Sequence, residues 1–283
     1  MATKRYKCKV CGYIFESETT PNKCPACGAS SSELIEIDDN GEPMKTAKKK
    51  IDTNSNTYTI VYSTIVVIVV AFLLAFVFQA LKPAQDANVA LDKKKQILYA
   101  LNIRGLNNQM AAQKYKEVVL SDDILDADGN VKVKGKDGAE GEGFASLNSS
   151  APKNGKYVLF RCKVNGEVKY VIPIYGMGLW GPINGYIAIN SDKTTVFGAY
   201  FNHESETAGL GAEIKDNADW QKKFQNKELF GKDRKTIALS VQKKISDPKT
   251  QVDAVTGATL TSNGVRQMLH DGFLPYIKFL NAK

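Results

Sequence analysis

Two stretches of the chain carry residues that could do chemistry: four cysteines near the N-terminus and a run of hydroxyl side chains near the C-terminus. Cys8 and Cys11 form one Cys-x-x-Cys pair, and Cys24 and Cys27 form a second. Two short loops of this kind can aim four thiolates at one tetrahedral ion. The pattern indicates a metal site rather than a secreted disulfide scaffold. Tetrahedral sulfur suits zinc and iron alike, so the spacing does not choose the metal.

The hydroxyl-rich stretch runs from Asp253 to Val265 and reads DAVTGATLTSNGV. Small residues and a glycine let a backbone turn sharply and approach a ligand closely. Its three threonines and one serine present hydroxyls that could carry a covalent group. The same residues also fit a strand-to-helix turn in which Ser262 or Asn263 caps a helix that follows from Val265. The residues alone leave both interpretations open.

Two glycine-containing segments form a further candidate site. Trp180, in GMGLWGP, either packs in the core between strands or uses the flanking glycines to reach a planar ring system. His203, in HESETAGLG, lies beside glutamates, which suggests metal or acid/base chemistry. With two histidines in the chain and no HExxH spacing, we do not expect such a role.

The element between the two chemical stretches is a long apolar run. The chain has no charged residue between Asp52 and Lys82, and Ile60 to Leu81 is almost continuously apolar. At helical rise this run spans about 33 Å, which matches a bilayer core of about 30 Å. It is too long, and starts too far along the chain, for a cleaved signal peptide. The predicted organisation is a metal-binding module at 1–38, a polar linker at 39–57, a membrane helix at 58–82 and a larger domain at 83–283.

The distribution of lysines predicts the orientation of the membrane helix. Lysines occur on both sides of the apolar run, but a tight cluster precedes it, at Lys45, Lys48, Lys49 and Lys50. Such a cluster favours an N-terminus in the cytoplasm and can also rest on the headgroups of the lipid bilayer. A cytoplasmic location would keep the four thiolates reduced.

Composition disfavours nucleic acid as a partner. The net charge of +8 comes mostly from lysine rather than arginine. Nucleic-acid-binding proteins use arginine in particular, because its guanidinium group makes bidentate contacts with phosphates and bases. No G-x-G-x-x-G follows a predicted strand, and no charged residue lies inside the apolar run. We therefore expect neither a dinucleotide site nor an ion pathway in this chain.

The C-terminal domain is predicted to be α+β with a mainly antiparallel sheet. An amphipathic helix follows the membrane, and residues 121–156 are predicted to be surface loops with at most one hairpin. Four β-branched and aromatic runs predict strands, at 157–162, 167–174, 186–190 and 195–201. Helices at 220–230 and 265–280 and a strand at 235–242 complete the prediction. Cys162 is expected to be a buried small hydrophobe in its strand.

The N-terminal module resembles rubredoxin, in particular the short rubredoxin-like modules of rubrerythrins. The similar residues are YKCKVCGYIF and CPACG, with Tyr6, Tyr13 and Phe15 as aromatic packing. The resemblance implies a one-electron iron centre, whereas a structural zinc ribbon is the alternative.

The C-terminal stretch resembles the flavinylation motif Dxx(S/T)GAT of the FMN-binding domain family, in which the last threonine is esterified to the phosphate of FMN. The resemblance implies attachment at Thr259, flanked by Asp253, Thr256, Gly257 and Ala258. Leu179 and Trp180 match the family pattern GxGLW. Glu206 and Thr207 match its ETPGLG motif, although Ala208 replaces the proline. These residues are therefore expected to lie near the flavin.

A third resemblance concerns LDKKKQIL, ten residues beyond the end of the apolar run, which is similar to the segment that follows the membrane anchor in the C subunits of sodium-pumping NADH:quinone reductases. The resemblance implies an electron-carrier subunit of the bacterial inner membrane with a periplasmic FMN domain, and the charge pattern predicts a cytoplasmic N-terminal module. Its implied partners are the other subunits of that complex and a flavin transferase. The N-terminal module is absent from the usual family member. The alternatives are the G-type subunit of the Rnf electron-transport complex and a membrane-anchored flavin sensor with a zinc ribbon.

Overall fold

The computed structural model describes residues 3–44, 53, 55–136, 140–147 and 155–282. The predicted lysine cluster at 45–50 lies outside the described residues. The chain divides into two compact units, Met1–Phe78 and Gln79–Lys283.

The N-terminal unit contains a small antiparallel sheet. Its strands are β1 (Lys4–Cys8), β2 (Ile14–Ser17) and β3 (Leu34–Ile37), with β1 in the centre. Tyr6 is buried, and its ring centroid lies 6.0 Å from that of Phe15. Because the buried apolar set is so small, hydrophobic burial alone gives little stability, and a bound metal would contribute much of the folding free energy.

Helix α1 (Asn56–Ala100) contains the predicted membrane segment. Among the described residues it is the one helix long and apolar enough to cross a membrane, and its most apolar window has a mean hydropathy of 2.9. The amphipathic segment predicted after the membrane is part of the same helix, which runs through Pro83 without ending. At its C-terminal end, Ile97 and Leu98 are buried in the core of the second unit.

The C-terminal unit is built on a six-stranded sheet in which every neighbouring pair is antiparallel. Its strands, in spatial order, are β5 (Val131–Val133), β4 (Val119–Leu125), β6 (Tyr157–Val164), β7 (Glu167–Met177), β8 (Pro182–Asn190) and β9 (Val196–His203). The predicted α+β class with an antiparallel sheet is confirmed. The Asn165-Gly166 turn between β6 and β7 has φ of 52° and 86°, as a two-residue hairpin loop requires.

Each face of the sheet carries a separate hydrophobic core. On one face lie the end of α1, helix α2 (Asn108–Val118) and the short α3 (Glu142–Ala145). On the other lie the short helices α4 (Glu213–Asp216) and α5 (Ala218–Lys222), then α6 (Thr259–Phe273) and α7 (Ile277–Asn281). Helix α6 packs against β7, and a methyl group at Gly176 would lie 2.7 Å from Cβ of Met268, so this crossing requires glycine.

Strand β4 corrects the prediction of surface loops over residues 121–156. It contains two buried aspartates, Asp122 and Asp123. The Asp122 carboxylate accepts hydrogen bonds from the backbone N–H groups of Lys136, Gly141 and Phe144, at 3.1, 2.8 and 2.8 Å. The buried charge is thereby satisfied by the loop around it. The predicted single hairpin is present as β4 and β5.

In the chain after β9, three predicted elements have the wrong bounds. The helix predicted at 220–230 is reduced to α5, because the chain turns at Asn226, which has φ of 62° and donates its N–H to the carbonyl of Val196. The strand predicted at 235–242 is only β10 (Ser240–Gln242), which pairs in parallel with β11 (Gln251–Asp253). The closing helix starts at Thr259, six residues before the predicted Val265.

Candidate metal centre and flavin site

The four predicted metal ligands lie together in the N-terminal unit. Their sulfur atoms are all within 4.8 Å of one another. The Sγ atoms of Cys8 and Cys27 are 3.7 Å apart, as are those of Cys11 and Cys24. Four sulfurs at about 2.3 Å from a tetrahedral ion are about 3.8 Å apart, so the arrangement fits zinc or iron.

The backbone closes both cysteine loops and favours the thiolate form of Cys24. Gly12 and Gly28 have φ of 72° and 75°, and each closes its loop by donating its N–H to the carbonyl of the first cysteine of the pair, at 2.9 Å. Burial raises the pKa of Cys24, but hydrogen bonds from the amides of Cys27 and Ala26 outweigh this and lower the pKa to about 7. Amides directed at a sulfur favour its negative form.

The two pairs are exposed unequally. Cys8 and Cys24 are buried, whereas Cys11 and Cys27 are exposed. One half of the metal centre therefore faces the protein and the other half faces the surface.

The candidate flavin site is a cavity of about 350 Å³ in the C-terminal unit. Three segments line it: the turn after β7, the loop after β9 and the start of α6. Seven of the predicted residues line this cavity, namely Leu179, Trp180, Glu206, Thr207, Gly257, Ala258 and Thr259. The remaining lining residues are Leu210, Gly211, Leu260 and Thr261.

Asp253 and Thr256 do not line this cavity. They line an adjacent one with Trp220 and Lys223. The Asp253 carboxylate is 2.8 Å from the Lys223 ammonium, and its backbone carbonyl accepts a hydrogen bond from the indole N–H of Trp220 at 2.7 Å. Asp253 thus fixes the chain just before the GAT turn.

The hydroxyls of the motif differ in their availability. Thr261 is 2% exposed and donates its hydroxyl to Glu206 at 2.5 Å. Ser262 is buried, and its oxygen accepts the backbone N–H of Val255 at 3.1 Å. Thr256 and Thr259 are exposed, and only Thr259 lines the cavity with Trp180. Within the described part of the chain, the Thr259 hydroxyl makes no hydrogen bond.

The interpretation of Ser262 or Asn263 as a helix cap is wrong. Helix α6 starts at Thr259 after the N-cap residue Ala258, which contributes no side-chain cap. Its first amide groups therefore have no capping side chain, and the first residues of this helix line the cavity, where unpaired amides favour negative charge.

Glu206 connects two walls of the cavity, and sequence reasoning did not assign it this contact. It is 8% exposed, and its carboxylate accepts the backbone N–H of Trp180 at 2.8 Å as well as the Thr261 hydroxyl. A methyl group at Gly178 or Gly211 would lie 2.4 or 2.2 Å from a Glu206 oxygen. Gly178 and Gly211 were the sequence signal for this contact, because a glycine at each position leaves room for the Glu206 carboxylate.

Trp180 does not pack in the core between strands. Its side chain is 66% exposed, and the neighbouring large apolar residues Leu179, Leu210 and Leu260 are exposed as well. They form an apolar rim at the cavity, which suits a planar ring better than solvent. His203 has a structural role, since its Nδ1 accepts the backbone N–H of Glu206 at 3.2 Å. Cys162 is fully buried, and burial raises the pKa of its thiol.

Comparison with known proteins matches both sites. The FMN-binding domain family matches residues 178–273, and the rubrerythrin, rubredoxin-like domain family matches residues 6–34. The predicted resemblances to these two domain families are confirmed.

Longer similarities extend over most of the chain. The C subunit of the Na(+)-translocating NADH-quinone reductase of Haemophilus ducreyi is 32% identical over 255 residues, which cover 83% of this chain and 98% of that protein. The protein of the same name from Neisseria meningitidis serogroup B is 30% identical over 262 residues, with the same coverage. The crystal structure of the C subunit from Parabacteroides distasonis superposes with a TM-score of 0.62 at 33% identity, and the match covers 72% of this chain and 98% of that one.

Proposed function

Since this chain belongs to the family of the C subunits of Na(+)-translocating NADH-quinone reductases, we propose that it carries electrons in such a complex through an FMN esterified to Thr259. The proposal rests on one observation above all: Thr259 is the motif residue that is exposed and also lines the cavity, which Trp180 lines as well. The two neighbouring hydroxyls that are buried already have hydrogen-bond partners.

The start of α6 suits a phosphate. A phosphate ester on Thr259 would lie at the first residue of a 15-residue helix whose N-terminus has no capping side chain. Unpaired amides and the helix dipole favour an anion at this position. The ester would tether the flavin and prevent its loss by diffusion.

The apolar rim and Glu206 would hold the ring. Leu179 and Trp180 on one side and Leu210 on the other can cover an isoalloxazine and exclude water from it. Glu206 fixes the turn that carries Trp180 against α6. Bound FMN supplies one-electron chemistry, and the chain's own residues provide its attachment, orientation and shielding.

For the four-cysteine site we propose iron. The sulfur spacing fits iron or zinc. Iron can exchange single electrons and zinc cannot, so iron suits a protein that works among electron carriers. Red protein with one iron per chain is the expected result. Colourless protein with one zinc would instead support a structural ribbon, and with it the alternative of a membrane-anchored sensor.

We propose that α1 anchors the chain in the bacterial inner membrane, with the N-terminal unit in the cytoplasm and the FMN domain in the periplasm. The apolar composition of α1 and the lysines before it support this topology. The implied partners are the lipid bilayer, the other subunits of the complex and a flavin transferase that makes the ester. Alkaline phosphatase fused after residue 282 should be active, and the same fusion before residue 56 should not.

The test of the flavin proposal compares two threonines of the motif. The chain is co-expressed with a flavin transferase, denatured, and examined for flavin fluorescence in the gel. Thr259→Val should abolish the fluorescence, whereas Thr256→Ser, which keeps the Ser/Thr position of the motif and lies outside the cavity, should retain it. Fluorescence that survives Thr259→Val would move the bond to another residue and overturn the proposal.

A further inference from the structure

The N-terminal unit has a charge and surface pattern that no role of the flavin domain explains. We infer that its metal-bearing end is a docking surface for an acidic redox protein that exchanges single electrons with the four-cysteine centre. This inference rests on the proposed iron occupancy of that centre and goes beyond it by assigning the class of partner and the surface it uses.

Strand register defines the two ends of the unit. Cys8 pairs with Leu34, and Lys7 pairs with Ile14, so these residues mark the end that holds the metal ligands. Lys4 pairs with Ser17 at the opposite end of the sheet.

The metal-bearing end exposes apolar side chains directly beside the metal ligands. Val10, which lies between Cys8 and Cys11, is 65% exposed, and Tyr13 and Ile14 are 49% and 41% exposed. In the second pair, the residues between the cysteines, Pro25 and Ala26, are exposed too. We call this surface the knuckle face, defined as Val10, Cys11, Tyr13, Ile14, Pro25, Ala26 and Cys27. An exposed apolar set beside a metal centre is a surface that a protein partner can cover.

Lysines without acidic partners surround the knuckle face. Lys7, Lys9 and Lys23 are exposed, and none of them forms an ion pair with any described residue. Glu33 is the acidic residue at this end, and it is half-buried.

The opposite end has the reverse character. Its two basic residues are paired, Lys4 with Glu36 at 3.0 Å and Arg5 with Glu16 at 3.8 Å. Among residues 3–44, the other acidic residues are placed beyond this end of the sheet, at Glu18, Asp38, Asp39 and Glu42. Within residues 3–44, unpaired lysines therefore lie at the metal-bearing end and most acidic side chains lie away from it.

This distribution of charge indicates which class of protein would bind at the knuckle face. Proteins that exchange electrons meet through small, short-lived interfaces, with an apolar centre where the redox groups approach and complementary charges that orient the encounter. A positive rim attracts an acidic protein and repels a basic one. With iron bound by the four cysteines, one electron from the reduced centre of the partner would convert the ferric ion to ferrous, and no proton or bond would be exchanged. The two exposed cysteines, Cys11 and Cys27, would be the point of closest approach.

The test measures electron transfer into the full-length protein. Iron-loaded protein in discs of zwitterionic lipid is mixed with reduced plant-type ferredoxin, an acidic one-electron protein, and loss of the ferric absorption is followed by stopped flow. The second-order rate should fall as salt is raised through the range in which the Debye length shrinks from about 30 to 8 Å. Lys9→Glu or Lys23→Glu should lower the low-salt rate about three- to tenfold and flatten the salt dependence.

Lys4→Glu is the matched control, because it makes the same charge change at the opposite end. The exposed pair that it breaks contributes little stability, so the ferric spectrum should be retained. Its rate should stay within about twofold of the unmodified protein. Iron content and spectrum are recorded for each variant, so that a lost site is not mistaken for lost docking.

The outcomes separate the two proposals. Colourless, zinc-containing protein would refute the iron centre, and this inference with it. A ferric site whose reduction is independent of salt and equal in Lys9→Glu and Lys4→Glu would refute the docking surface alone. Reduction that becomes sensitive to Lys9 only in anionic discs would assign the knuckle face to the lipid surface and overturn the inference as well.

Discussion

Replacing Glu206 gives the sharpest test of how the flavin cavity is held together. The Glu206 carboxylate is buried and accepts two hydrogen bonds, from the Trp180 N–H and the Thr261 hydroxyl. Hydrogen bonds to charged groups contribute about 1.5–3 kcal/mol each, and the desolvation cost of the carboxylate offsets part of the sum. We therefore expect Glu206→Ala to lower the free energy of unfolding of the C-terminal unit by about 2–4 kcal/mol.

Glu206→Gln should cost less, about 0.5–1.5 kcal/mol, because the amide keeps the shape, can accept from Trp180 and can donate to Thr261. Glu204→Ala is the control, since this neighbouring glutamate is exposed and should change stability by less than about 0.5 kcal/mol.

Tryptophan fluorescence during urea unfolding is the appropriate assay, because both tryptophans of the chain, Trp180 and Trp220, lie in the C-terminal unit. The metal centre then does not contribute to the signal. If Glu206→Ala unfolds within about 0.5 kcal/mol of the unmodified protein, Glu206 does not hold the cavity walls and the reasoning is refuted.

Three further predictions follow from the same structure. Gly257→Ala should destabilise the C-terminal unit by about 1–3 kcal/mol in the same urea assay, because φ is 76° and the new methyl group would lie 2.9 Å from Leu210. The control is Gly155→Ala, where φ is 64° and no atom of the described residues is near, so that it measures the cost of the backbone conformation alone. Cys11→Ser should remove the metal and make the N-terminal unit sensitive to protease, whereas in-gel flavin fluorescence should be unchanged; retained metal would contradict the ligand set. Cys162 should resist maleimide in native protein at pH 8 and react after denaturation, because burial raises the pKa of its thiol and keeps it protonated; native labelling would contradict this.

The strands could be predicted where the local pattern of apolar and polar residues agrees with the burial that each strand has in the fold. Strands β6 to β9 alternate apolar and polar residues or are β-branched, and Asn165-Gly166 fits the turn between the first two. Strand β4 was missed because its two aspartates are typical of loops. Asp122 is tolerated in the core only because amides 14 to 22 residues further along reach it, and no local pattern shows that.

The excessive length of the helix predicted at 220–230 has a similar cause. Trp220 and Phe224 have helical spacing and pack together, with ring centroids 5.2 Å apart. The chain nevertheless leaves the helix, because Asn226 adopts a left-handed conformation and bonds to β9. The contact with the sheet thus overrides the local preference.

The family resemblance identified the residues of the candidate flavin site. The structure supplied the physical reason for choosing Thr259 among the hydroxyls of the motif. The sequence offers four hydroxyls within seven residues, from Thr256 to Ser262. Because α6 starts at Thr259, Thr261 and Ser262 fall in its first turn and face inward, toward Glu206 and Val255. The helical period of 3.6 residues then leaves Thr259 near the rim, beside the uncapped amides. If the helix began at Val265, as the local pattern suggests, none of the four hydroxyls would have this distinction. The position of the helix start is therefore what makes Thr259 both accessible and electrostatically suited to a phosphate, and a substitution that shifts this start should reduce flavin attachment even with Thr259 intact.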